Sequence, residues 1–147
     1  MLRDDKDVAL DEVFEAGAVV VDGYRQAAEL SESDDSRSAF ERLAARRQAT
    51  LDDLRARLLE NDQLPADPDP EREALGLFIE RVRALLSPEP SATVVEDRKA
   101  EERKLKHTVE KALGFDHSPD VAAKLNALSE EAEAALEELE SLGGDQS

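Results

Sequence analysis

Six polar side chains stand where helical spacing would bring them toward the interior of a helical bundle. They are Tyr24, Arg47, Arg98, Glu101, Glu102 and Glu131. Arg47 and Arg98 interrupt stripes that are otherwise apolar, and a buried guanidinium without a partner would cost stability. We therefore predict that an inward-facing acid among the three glutamates pairs with Arg47 or Arg98. Tyr24 is expected to be a core aromatic residue whose hydroxyl is hydrogen-bonded.

Carboxylates on helices can also hold metal ions, so the metal-binding alternative has its own signature. A di-iron or di-manganese site takes a Glu from each of two helices and a Glu-x-x-His pair from each of two others. The three-residue step places carboxylate and imidazole on one helix face. The chain contains no Glu-x-x-His, and its histidines are His107 and His117. If metal binds, Glu101, Glu102 and Glu131 are the candidate ligands, although the fixed charge of a central arginine would repel it.

Other reaction classes find little support in the residues. The chain has no cysteine, which excludes disulfides, thiolate ligands and a cysteine nucleophile. It has no serine–histidine–acid arrangement, no phosphate-binding glycine loop and no nucleotide fingerprint. The 36 acidic and 19 basic residues give a net charge of -17, which disfavours nucleic acid or an anionic membrane as partner. We assign no catalytic residue and favour a non-enzymatic role.

Five helices are predicted to position these side chains within a single all-α domain spanning 1–147. Their approximate ranges are 5–30, 36–61, 71–86, 92–113 and 119–142. In the first helix, apolar residues from Val13 to Ala28 recur at the three- and four-residue spacing of a buried seam. Aromatic residues make up 3% of the chain, and alanine and leucine supply most of the apolar residues, a composition typical of helices rather than sheets.

The connections between these helices indicate how they are arranged. The short polar break Ser31–Ser36 predicts that the first two helices are antiparallel neighbours. The prolines of Asp62–Pro70 and Ser87–Ser91 bracket a shorter third helix. Such a helix can return the chain along the outside of the bundle, giving the ferritin-like antiparallel four-helix arrangement with an additional crossover helix. A five-helix up-down bundle fits the same periodicity.

Two stretches resemble a known family. Val21–Glu29, VDGYRQAAE, resembles the end of the first helix in a group of bacterial ferritin-like four-helix-bundle proteins of unknown function. Ala100–Leu113, AEERKLKHTVEKAL, resembles the third bundle helix of that group, with Glu101 and Glu102 on its acidic pair. The wider superfamily includes rubrerythrin and bacterioferritin relatives that hold two metal ions between the helices. The resemblance implies the fold but no reaction, and the predicted ion-pair network would occupy the place of the metal ions.

Three functions follow from these observations. We favour a non-catalytic binding or stress-associated structural protein without a conventional di-metal centre and without a cofactor. One alternative is a divergent oxidase or peroxidase that holds iron or manganese by carboxylates alone. Another is an adaptor whose acidic surface binds a basic protein partner.

The first helix also predicts self-association. Ala16, Ala18 and Val19 give it more apolar width than one seam needs, so we expect a homodimer that uses this flank. No apolar run reaches the roughly 18 residues of a membrane span. The first ten residues carry charges where a signal peptide has its apolar core. We therefore expect a cytoplasmic protein.

Overall fold

The computed structural model describes residues 4–61 and 90–144, and within these ranges it describes the side chains of 4–61 and 94–142. All regular secondary structure in this part of the chain is helical, which confirms the all-α class there. The helices are α1 (Asp5–Leu30), α2 (Asp34–Glu60), α3 (Pro90–Leu113) and α4 (Pro119–Gly144). The helix predicted at 71–86 lies outside the described residues.

Capping residues explain where the helices begin. The Asp4 carboxylate accepts a hydrogen bond from the Asp7 amide at 2.8 Å, and the Ser33 hydroxyl accepts one from the Ser36 amide at 3.2 Å. Ser33 is therefore the cap, and α2 begins at Asp34 rather than near residue 36. α3 begins at Pro90 rather than near residue 92, because the first helical position does not need the amide hydrogen that proline lacks.

Among the helices that the structure describes, each packs against two others, so the four form a closed ring. α1 and α4 both pack against α2 and α3. Contacts across these interfaces include Arg42–Glu138, Asp53–Lys124, Lys99–Glu140, Lys106–Glu133, Tyr24–Glu102 and Glu12–Lys111. In these contacts between α2 and α4, α3 and α4, and α1 and α3, the residue numbers rise along one helix as they fall along the other. α2 therefore ends beside the start of α4, where Asn61 Nδ2 lies 3.4 Å from Asp120 Oδ2.

The core lies inside this ring. Its described residues are aliphatic side chains with two aromatic rings from α1 and one from α2. The seam positions of α2 and α4 are buried, including Leu43, Leu54, Leu58, Leu125 and Leu128. Gly17 allows α1 and α2 to approach closely, because a Cβ there would lie 2.7 Å from both Leu51 methyl groups. None of the four helices combines the length and apolarity needed to cross a membrane.

Candidate functional site

Glu102 is the acid that points into the centre of the bundle. It lies on the apolar stripe of α3, between Arg98 and Leu105, and its side chain is 0% exposed. Its Oε2 accepts a hydrogen bond from Arg47 Nη2 at 2.6 Å and another from the Tyr24 hydroxyl at 2.6 Å. One carboxylate oxygen therefore links α3 to both α2 and α1.

Arg47 extends this network to the fourth helix. Its side chain is 2% exposed, and its Nη1 donates to Glu131 Oε2 at 3.2 Å and lies 3.5 Å from the Leu128 carbonyl oxygen. Glu131 is held from its other side, because Oε1 accepts a hydrogen bond from the Thr50 hydroxyl at 2.6 Å. The Arg47 guanidinium is thus clamped between carboxylates of α3 and α4, as expected for a planar fork of donors.

Buried Arg98 and partly buried Glu101 form a neighbouring ion pair on α3. Arg98 Nη2 donates to Glu101 Oε1 at 2.8 Å, and Arg98 Nη1 donates to the Gly23 carbonyl oxygen at 2.6 Å. A Cβ on Gly23 would lie 2.6 Å from Arg98 Nη1 and 2.5 Å from Glu101 Oε2. The absence of a side chain at Gly23 is therefore what lets this ion pair rest on the backbone of α1.

Burial governs the electrostatics of the centre. It raises the pKa of Glu102, while Arg47 and the hydrogen bond from Tyr24 lower that pKa and the charge of Glu131 raises it. Burial, followed by the charge of Glu102, raises the pKa of Tyr24 above its ordinary value. The Tyr24 hydroxyl therefore keeps its proton and acts as the donor to Glu102.

Two buried polar atoms of the network remain without a hydrogen-bond partner among the described residues. They are Glu102 Oε1 and Arg47 Nε. An unpaired buried group carries a desolvation cost of about 1–3 kcal/mol, more when it is charged. Glu102 therefore presents an acceptor in the core that the described residues do not use.

The structure brings together four of the six side chains singled out from the sequence: Tyr24, Arg47, Glu102 and Glu131. The other two pair with each other beside this cluster. Sequence reasoning missed Thr50, the Leu128 carbonyl and the packing role of Gly23. A glycine inside a long helix, where it costs about 1 kcal/mol relative to alanine, was the available signal for Gly23.

The central residues do not fit a di-metal centre. Among the described residues, no group of three or more His, Asp or Glu side chains could hold a metal ion. His107 is exposed, and His117 Nε2 lies 2.7 Å from the Ala112 carbonyl oxygen at the end of α3. The position between Glu102 and Glu131 is taken by the Arg47 guanidinium, whose fixed positive charge repels a metal ion.

Comparison with known proteins does not assign this chain to a family. No protein-family model matches the chain, and neither the curated proteins nor the solved structures yield a significant match. The resemblance of Val21–Glu29 and Ala100–Leu113 to ferritin-like proteins therefore stays a prediction.

Proposed function

We propose that this chain is a ferritin-like antiparallel four-helix-bundle protein in which an ion-pair network stands in place of a di-metal centre. In this proposal it is a non-catalytic binding or structural protein that needs no cofactor. The observation that carries the proposal is the Arg47 guanidinium, buried between Glu102 and Glu131 and bonded to both. A side chain with a permanent charge holds the position that a catalytic metal would need.

The order of contacts supports the ferritin-like topology. Among the described residues, α1, α2, α4 and α3 form a ring in which each helix packs against two others, as a four-helix core requires. α2 ends beside the start of α4, whereas Lys99 near the start of α3 pairs with Glu140 near the end of α4. A connection between α2 and α3 therefore joins opposite ends of the bundle, as the long crossover of ferritin-like proteins does.

The hydrogen bonds at the centre support a structural role for the network. Glu102 Oε2 is shared by Arg47 and Tyr24, and Glu131 is bonded to both Arg47 and Thr50. A divergent oxidase or peroxidase would require these carboxylates to release the arginine first. Leaving Arg47 buried without them would be costly, by about 3–5 kcal/mol.

Metal analysis of the purified protein tests the absence of a di-metal centre. The protein should be expressed with iron and manganese in the medium and measured by elemental analysis and visible absorption. We expect well below one equivalent of either metal per chain and no visible band. Two equivalents of iron or manganese per chain, or a metal-dependent band, would overturn the proposal in favour of the oxidase alternative.

We further propose that the protein is a homodimer that uses the outward flank of α1. Val19 is 51% exposed and Ala18 is half-buried, whereas Ala16 is only 8% exposed and is already covered by the bundle. Sedimentation at micromolar concentration should therefore give twice the mass of the chain. The Val19→Lys variant should sediment as a monomer, and a monomeric wild-type protein would refute the dimer.

A further inference from the structure

We propose that the core of this bundle contains a preformed binding site for a guanidinium group, built by three helices and filled by the chain's own Arg47. The site consists of the Glu102 carboxylate from α3, the Glu131 carboxylate and Leu128 carbonyl from α4, and the space that the Arg47 side chain occupies on α2. Its ligand class is a planar, delocalised monovalent cation. This inference rests on the geometry of these groups and not on the ferritin-like topology.

The acceptors of the site match the fork of a guanidinium. Nη2 of Arg47 is bonded to Glu102 Oε2 at 2.6 Å, and Nη1 faces Glu131 Oε2 at 3.2 Å. The two acceptors come from different helices, so the plane of the cation bridges α3 and α4. Glu102 Oε1, fully buried and without a partner among the described residues, adds an acceptor on the same carboxylate. Glu102 thus offers one acceptor beyond those that Nη1 and Nη2 of Arg47 use, while Arg47 Nε has no acceptor among the described residues.

The acceptors are held in place by groups other than Arg47. The Tyr24 hydroxyl donates to Glu102 Oε2, and the Thr50 hydroxyl donates to Glu131 Oε1. Arg46 Nε also lies 3.4 Å from Glu131 Oε1. These contacts come from α1 and α2 and survive truncation of Arg47 to a methyl group. The carboxyl groups should therefore keep their positions and leave a preorganised cavity lined by acceptors, which reduces the ordering cost of binding.

The same groups favour guanidinium over a divalent metal ion. Hydroxyl donors from Tyr24 and Thr50 already occupy one oxygen of each carboxylate. Mg²⁺ demands near-octahedral oxygen ligands at about 2.0–2.1 Å and gives up its water reluctantly. A guanidinium is more weakly hydrated and bonds through two parallel donors at ordinary hydrogen-bond distances. The desolvation cost of entering a buried site is therefore lower for guanidinium than for Mg²⁺.

Rescue of an Arg47→Ala variant by methylguanidinium tests the site. Thermal unfolding of the full chain would be followed by circular dichroism while methylguanidinium chloride is raised at constant ionic strength. We expect a lower Tm for Arg47→Ala than for the wild type, and a saturable rise of several degrees with the ligand. The matched control is Arg42→Ala, which removes an exposed arginine paired with Glu138 and should show no saturable rise.

Two further variants make the outcome specific. Arg47→Met fills the same space without charge and should gain nothing from methylguanidinium. Arg47→Ala combined with Glu102→Gln should lose most of the rescue, because the principal acceptor is no longer charged. An Arg47→Ala chain that methylguanidinium neither stabilises nor refolds overturns the inference. Stabilisation by stoichiometric Mn²⁺ alone also overturns it, whereas the metal content of the wild-type protein bears only on the proposed function.

Discussion

At the scale of residues, the main feature of the bundle centre is one guanidinium that two carboxylates share. Buried ion pairs contribute little net stability, because the desolvation of both charges offsets their attraction. Removing one member is costly, since the other charge remains in the core. Arg47 is protected by having two acids, Glu102 and Glu131, on different helices. We expect such a network to determine which helices pack together more than it adds to the free energy of folding.

The pH dependence of stability should report on Glu102. Its folded-state pKa is raised above the ordinary 4.5, chiefly by burial. The folded state therefore binds this proton more tightly than the unfolded chain does. Its contribution is fully present below about pH 4.5 and is lost as pH rises through the folded-state pKa. We predict that the stability of the wild type relative to Glu102→Gln falls as pH rises from about 4 to 7.

Urea unfolding of both proteins across this pH range measures the difference, and groups that titrate equally in both cancel. Glu140 and Asp120 are such groups: hydrogen bonds from Lys99 and Ser118, respectively, lower their pKa values, so their contributions are lost as pH falls. Glu137→Gln, at an exposed position of α4, is the control and should show no comparable trend. If the free energy of unfolding of the wild type relative to Glu102→Gln rises with pH, the raised pKa of Glu102 is contradicted.

At the scale of elements, two glycines on α1 set how closely its neighbours approach. Gly17 faces Leu51 of α2, and Gly23 faces the Arg98–Glu101 pair of α3. At each position, glycine lowers the stability of the helix by about 1 kcal/mol relative to alanine. In exchange, α1 contacts both neighbours over its length, and the Gly23 carbonyl accepts a hydrogen bond from a buried guanidinium.

Replacement of Gly23 by alanine should destabilise the protein although it favours the helix. The added Cβ would meet Arg98 Nη1 at 2.6 Å and Glu101 Oε2 at 2.5 Å, so the buried guanidinium has to shift away from the Gly23 carbonyl oxygen to which it donates. Overpacking of this kind costs about 1–3 kcal/mol, more than the gain in helix propensity. The measurement is the free energy of unfolding in urea.

A double-mutant cycle isolates the cause. In an Arg98→Ala background the alanine at position 23 meets no guanidinium, so its cost should shrink or reverse to the ordinary gain for a helix. Equal effects of Gly23→Ala in both backgrounds would mean that the Arg98 contact does not set the distance between α1 and α3.

At the scale of the whole molecule, a net charge of -17 is spread over a small bundle. Ion pairs such as Arg42–Glu138 and Lys106–Glu133 bridge the helices at the surface. Each exposed pair contributes about 0–1 kcal/mol. With 36 acidic and 19 basic residues, 17 acidic residues remain in excess even if every basic residue is paired. Repulsion among the remaining carboxylates opposes the compact state.

Added salt should therefore stabilise the protein. Screening shortens the range of repulsion from roughly 30 Å at 0.01 M to about 3 Å at 1 M ionic strength. We predict that Tm at neutral pH rises with NaCl over this range. Glu41→Lys, at an exposed position of α2, changes the net charge from -17 to -15 and should raise Tm at low salt but much less at high salt. A Tm that falls with NaCl would show that ion pairs outweigh the repulsion.

Much of the architecture could be predicted because the signals that define a helix lie close together in the sequence. The apolar spacing around Leu43 and Leu54, the caps near Ser33 and the prolines at 90 and 119 all act within a few residues of the chain. The same local reading showed that the chain lacks Glu-x-x-His and that Arg47 and Arg98 lie on apolar stripes. The sequence by itself thus determined the helical class, the acidic charge and the presence of charges that need partners.

Only the tertiary structure decided which partners those charges have. Helical periodicity assigns a residue to a face, but it does not fix which helix lies opposite or at what height. The pairing of Arg47 with Glu102 and Glu131 depends on the neighbours and register of α2, α3 and α4. Arg98 and Glu101, in contrast, lie three residues apart on α3 and pair within that helix. Gly23 is the clearest case. The side chain that requires a glycine there is Arg98, which lies 75 positions further along the chain and donates a hydrogen bond to the Gly23 carbonyl oxygen.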